Sequence, residues 1–198
     1  MTAMTTRLET LENAVKALYN AHDPNRDGWS DWLLDNHVIV VADYASGLAK
    51  KYAVNKELSR TAALLHDIAD AKMSRMADNH EAESLKIARK LMQDAGFNQE
   101  EIKLVVDDAI RFHSCHGDER PQSKEGQILA TADSMAHLKT GFYVYATWAF
   151  GKDRTLEELR AWVLKKIDRD LNNKIIFDDE KRDAQADYDL IKELFSRS

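Results

Sequence analysis

Apolar side chains recur along the chain at intervals of three and four, the spacing that places them on one face of a helix. Leu8, Leu11, Val15 and Leu18 form a first stripe, and Leu34, Val38, Val41, Ala45, Leu48 and Tyr52 a second. Further stripes run through Leu85, Ala88 and Leu91, through Ile102, Val106 and Ala109, and through Leu156, Leu159, Val163 and Ile167. Start signals fall where the stripes need them: Asn98 with Glu101, and Thr155 with Glu158, each read as a capping box, while Gly96 reads as a helix stop. No stretch alternates apolar and polar residues as a half-buried strand would. The pattern predicts an all-α fold in one domain, with a helical core at about 30–140, an accessory N-terminal helix at 5–20 and additional C-terminal helices at 141–198.

At 198 residues and 44% hydrophobic content, the chain is long enough to enclose one substantial core without staples. The lone Cys115 excludes an intramolecular disulfide framework, and no stretch approaches the roughly 20 apolar residues that span a bilayer. The N-terminal "MTAMTTRLETLENAVKAL" mixes charges of both signs without a continuous apolar run, so a cytoplasmic chain with no membrane partner is expected. A formal charge of -6, from 28 basic and 34 acidic residues interspersed, gives no broad basic face for a nucleic-acid polymer. A small molecule is the expected partner. The aromatic run "GFYVYATWAF" (141–150) lacks interleaved basic residues, which favours core or helix–helix packing over base stacking; together with Trp162 it permits a homodimer.

The chemistry starts at "TAALLHDIADAK" (61–72), where His66 and Asp67 stand inside an apolar run. The same anomaly recurs at His37 in "DNHVIVVA" and at Asp133 in "ILATADSMAHL". Burying two carboxylates without positive charge costs several kcal/mol each, and none of these segments carries a Lys or Arg in an obvious inward position. A divalent cation would supply that charge. Two imidazoles and two carboxylates form a mixed N/O set suited to Mn, Fe, Co, Ni or Zn, with positions left for water and substrate.

The order His37, His66-Asp67, Asp133 resembles the H…HD…D signature of the HD-domain superfamily, over about residues 30–140. Its members are helical and mostly metal-dependent phosphohydrolases. The resemblance implies an HD-domain helical bundle holding one or two divalent ions (Mn, Fe, Co, Ni, Zn or Mg) on His37, His66, Asp67 and Asp133. It also implies a metal-activated water that cleaves a phosphomonoester or a nucleotide pyrophosphate bond. Lys72, Arg75, Arg111 and Arg120 are candidates for holding the substrate phosphate. His80, His113 and His116 are candidates for a second metal or for phosphate, and His137 for orienting Asp133 from four residues away. Where many relatives read H-D-I-G, this chain reads "HDIADAK"; Ala69 in place of Gly leaves the parts played by Asp70, a tentative catalytic residue, and Lys72 open.

Two other readings stand beside this one: a mixed-valent di-iron oxygenase on the same scaffold, and a non-catalytic module that binds a nucleotide or a partner protein. "DPNRDGWSD" (23–31) has the acids of an EF-hand loop but Leu34 at the twelfth position, so a polar turn is expected. Cys115, with no second cysteine, is expected to be a free thiol.

Overall fold

The computed structural model describes residues 6–197 apart from the side chain of Asp153, and within that span the elements are helices, with no strand. α1 (Arg7–Asn20) is followed by α2 (Ser30–Leu33), a π-helical turn (Leu34–Val38) and α3 (Ile39–Lys51). Next come α4 (Lys56–Leu65), a 3-10 turn (Ile68–Ala71), α5 (His80–Asp94), α6 (Gln99–Ile102) and a π-helical stretch (Lys103–Ile110). α7 (Lys124–Lys139), α8 (Phe142–Phe150), α9 (Leu156–Arg169), a third π-helical turn (Asp170–Lys174) and α10 (Asp178–Ser196) complete the order. The expected N-terminal helix starts at Arg7, and residue 5 lies outside the described residues.

Both expected capping boxes form, and Thr6 with Glu9 adds a third at the start of α1. Gly96 ends α5 in the left-handed conformation at φ 86, with the Phe97 N–H returning to the Met92 carbonyl at 3.0 Å. That six-to-one closure satisfies a helix-end carbonyl and needs the conformation glycine adopts most readily. Arg7 ties α1 to two other elements by pairing with Glu57 and Glu101 at 2.6 and 2.8 Å.

α7 is the axis of the bundle: every residue from Ile128 to Leu138 is buried, and α3, α4, α10 and both later π-helical segments pack on it. A helix buried all round shows no single apolar stripe, so its polar members, Asp133 and His137, are carried into the interior. Its first turn comes close to its neighbour because Gly126 lacks a side chain; a Cβ there would lie 3.0 Å from Ala109 Cα and 2.5 Å from Pro121 Cβ. No helix among the described residues is long and apolar enough to cross a membrane.

Candidate metal centre

Three different elements deliver the ligand-type side chains. His37 comes from the π-helical turn that opens α3, His66 stands directly after the last residue of α4, and Asp133 sits mid-way along α7. π-helical turns are rare and recur at functional sites, because one extra residue per turn re-aims a side chain. All three side chains are buried, at 1–2% exposure. His37 Nε2 lies 3.3 Å from Asp133 Oδ1 and 3.3 Å from His66 Nε2, and His66 Nε2 lies 3.8 Å from Asp133 Oδ1. One ligand atom from each falls within 4.8 Å of the other two.

Protonation follows from the outer partners. His66 Nδ1–H donates to the Ala63 carbonyl at 2.7 Å, which leaves the Nε2 lone pair facing Asp133. His137 repeats the arrangement: Nδ1 lies 3.1 Å from Asp170 Oδ2 and Nε2 lies 3.2 Å from Asp133 Oδ1. Burial drives its imidazole down to about 3, so the ring is neutral near pH 7. Asp133 Oδ1 is thus surrounded by imidazole nitrogens and is buried without a hydrogen-bond partner. An orphaned carboxylate oxygen facing converging lone pairs is what a cation would satisfy, and a mixed N/O donor set fits a divalent transition metal. The residues fit the ion.

Positive charge also comes from further along the chain, which the local segments did not suggest. Lys174, 2% exposed, places its ammonium on Asp133 Oδ2, so Asp133 offers only Oδ1 to the centre. Burial alone would raise the Asp133 carboxyl, but His137, Lys174 and the neighbouring His37 hold it well below the usual range. Asp67 Oδ2 lies 3.5 Å from His66 Nε2 and 2.5 Å from Arg75 Nη2, and Asp67 falls outside the three-residue group.

The remaining sequence candidates divide. Arg75 lies at the centre, pairing with both Asp67 and Asp70. Asp70 is 1% exposed and holds His80 Nε2 at 2.9 Å, so it stands behind Arg75 and its oxygens are engaged. His113 is buried, donates Nδ1–H to the Ile110 carbonyl at 2.6 Å and is brought down to about 4 by burial. His116 is exposed and accepts from Arg169 Nη1 at 3.0 Å. Lys72 is exposed and away from the cavity, and Arg120 folds back on the carbonyls of Cys115, Gly117 and Glu119. Arg111 lines a neighbouring cavity of about 190 Å³ beyond His113. Asp27 of the EF-like loop accepts from Ser74 Oγ and from the Arg75 backbone N–H, which makes that loop a strut for Arg75.

A cavity of about 350 Å³ opens over the ligand group. Trp29, Phe142, Phe150 and Trp162 form apolar walls, while Lys166 and Arg169 reach in from α9. Those two cations and Lys174 do not stand out in the sequence. Lys166, Asp170 and Lys174 do stand four residues apart, but alternating charges at that spacing ordinarily mark a solvated face. Here Tyr143, His137 and the two lysines close around a fully buried Asp170 instead.

With this geometry in place, the HD domain model matches residues 34–138, more than half of the chain. The chain belongs to the HD-domain family. Ribonuclease Y of Petrotoga mobilis is 30% identical over 105 residues, covering 53% of this chain and 18% of that protein. Ribonuclease Y of Thermotoga maritima is 28% identical over 106 residues, 54% of this chain and 19% of its own length. The chain therefore spans about a fifth of the length of these curated relatives. The crystal structure of Bacillus subtilis YpgQ in complex with ADP superimposes with a TM-score of 0.68 at 19% identity, over 96% of this chain and 92% of that one. A predicted HD superfamily hydrolase from an uncultured Thermotogales bacterium gives 0.58 at 20% identity, over 97% and 91%. At these identities the likeness establishes the shared all-α HD fold, C-terminal helices included.

Proposed function

We propose that this HD-domain protein is a metal-dependent phosphohydrolase acting on a small phosphorylated metabolite or a nucleotide, at a phosphomonoester or phosphoanhydride bond. One observation carries the reading: Asp133 Oδ1, ringed by imidazoles, lines a cavity into which cationic and aromatic side chains also project. His37, His66 and Asp133 would hold the ion, with Asp67 as the adjoining carboxylate. What a divalent cation supplies in such a site is activation of water and polarisation of a phosphoryl oxygen.

The chain's own residues do the rest. Lys166, Arg169 and Arg75 line the cavity and provide charged donors for phosphoryl oxygens, so the substrate is oriented by its phosphate. Tyr143 and His137 fix Asp170, whose carboxylate keeps Lys166 and Lys174 in place. The apolar walls exclude water and offer a face for the non-phosphate part of the substrate. YpgQ, the similar fold, is known in complex with ADP, which supports a nucleotide among the first compounds to try.

The test is hydrolysis of a panel of nucleotides and phosphorylated metabolites by metal-stripped protein reconstituted with Mn²⁺, Co²⁺ or Ni²⁺. Activity restored by metal and absent from Asp133→Asn supports the reading. Protein that binds metal yet releases no phosphate or pyrophosphate from any of them would count against it.

A further inference from the structure

Arg75 is held more firmly than a phosphate-binding arginine requires. Its Nη2 touches one oxygen each of Asp67 and Asp70, and its Nε donates to Asp70 Oδ1 at 3.2 Å. Its backbone N–H donates to Asp27 Oδ2 at 2.9 Å, an oxygen that also takes Ser74 Oγ, and its guanidinium stands 5.3 Å above the Trp29 ring. A positive centre thus bridges two carboxylates, and His80 and His113 line the same cavity as Arg75 and Asp67.

We infer that the Arg75 guanidinium replaces a second metal ion, so that the centre takes a single divalent cation. The inference rests on the reading that His37, His66 and Asp133 hold the first. A second ion would have to draw on Asp67, Asp70, His80 and His113. Both aspartates already give an oxygen to the guanidinium, and the second Asp70 oxygen also faces His80 Nε2 at 2.9 Å, so of that set only His113 and the other Asp67 oxygen are left. Among the described residues, His37, His66 and Asp133 form the one group of three or more ligand atoms close enough to share an ion.

Charge balance agrees. Among the groups paired at the centre, Asp67, Asp70 and Asp133 face Arg75 and Lys174 and Asp170 is matched by Lys166, which leaves one negative charge; Arg169, on the cavity wall, contacts His116 and none of these acids. One divalent ion turns this into a single positive charge, suited to an anionic substrate; a second would have to enter beside an always-charged guanidinium. Arg75 Nη1 has no hydrogen-bond partner among the described residues, and Arg75 lines both cavities. It therefore offers a phosphoryl oxygen the charge that a second metal supplies in two-metal sites.

The test is titration of the full metal-free chain with Mn²⁺, read by metal analysis after desalting and by electron paramagnetic resonance. The expected result is one Mn²⁺ per chain with the spectrum of an isolated ion. Two Mn²⁺ with a spin-coupled spectrum would overturn this inference and leave the metal reading standing; no bound Mn²⁺ would overturn both. Arg75→Met should take up a second equivalent that His80→Ala removes again, and Arg75→Lys should stay at one. If Arg75→Met does not fold, Arg75→Gln, which keeps an amide donor for Asp70, carries the same comparison. A single equivalent in the neutral variant would show that the guanidinium does not exclude the second ion.

Discussion

Lys166 lies 3.3 Å from His137 Nδ1 and 3.9 Å from Asp170, and its ammonium is brought down to about 8, chiefly by burial, with Lys174 adding to the effect against the pull of Asp170. A lysine with that value is charged below pH 8 and neutral above it, where an ordinary lysine would still be charged. If it binds substrate phosphate, kcat/KM falls as pH rises through about 8, and Lys166→Arg, which stays charged, removes that limb. Lys166→Ala should raise KM about tenfold, the effect of losing ~1.4 kcal/mol from a charged hydrogen bond. Steady-state kinetics across pH 6–10 checks both; unchanged KM in the alanine variant would remove Lys166 from phosphate binding. At this scale the sequence was legible where a residue broke an apolar pattern. His37, His66 and Asp133 stood out for that reason and do converge. Lys166, Arg169 and Lys174 were illegible because they sit among other charges, and only the tertiary path of the last helices turns them inward.

At the scale of elements, the helices and their caps were readable because 3.6-residue periodicity and capping chemistry are local. The π-helical turns were not. Leu34–Val38, Lys103–Ile110 and Asp170–Lys174 continue helical stripes in sequence, and the extra residue per turn answers to packing rather than propensity. The third of them supplies Asp170 and Lys174 to the centre, and the first supplies His37. α7 depends on a close approach. Gly126→Ala forces a Cβ against Ala109 Cα, which is backbone and cannot swing aside. A cost of about 2 kcal/mol is expected, or a drop of roughly 4–8 °C in Tm. Calorimetry checks this, and an unchanged Tm would mean that α7 and the Lys103–Ile110 segment can separate freely.

Across the whole molecule, the centre is where the helices of the expected core meet those that follow residue 141. His37, His66 and Asp133 come from the former, Lys174 and the cavity's Lys166 from the latter. A ligand that binds this assembled arrangement and not the unfolded chain stabilises it by linkage, by about 2.7 kcal/mol at a hundredfold excess over Kd. For a chain of this length that amounts to roughly 5–10 °C in Tm. Mn²⁺ should produce such a shift, a chelator should abolish it, and Asp133→Asn should not show it. The family itself was legible from four residues in order, because the HD signature is a fixed order of residue types along the chain. Substrate identity was not, since it depends on cavity walls assembled from Trp29, α8 and α9.

The most direct test of the central claim is a crystal of the protein soaked with Mn²⁺ and examined by anomalous diffraction. The account predicts one strong anomalous peak within coordination distance of His37 Nε2, His66 Nε2 and Asp133 Oδ1. A peak elsewhere, or none with those three side chains ordered, would contradict it.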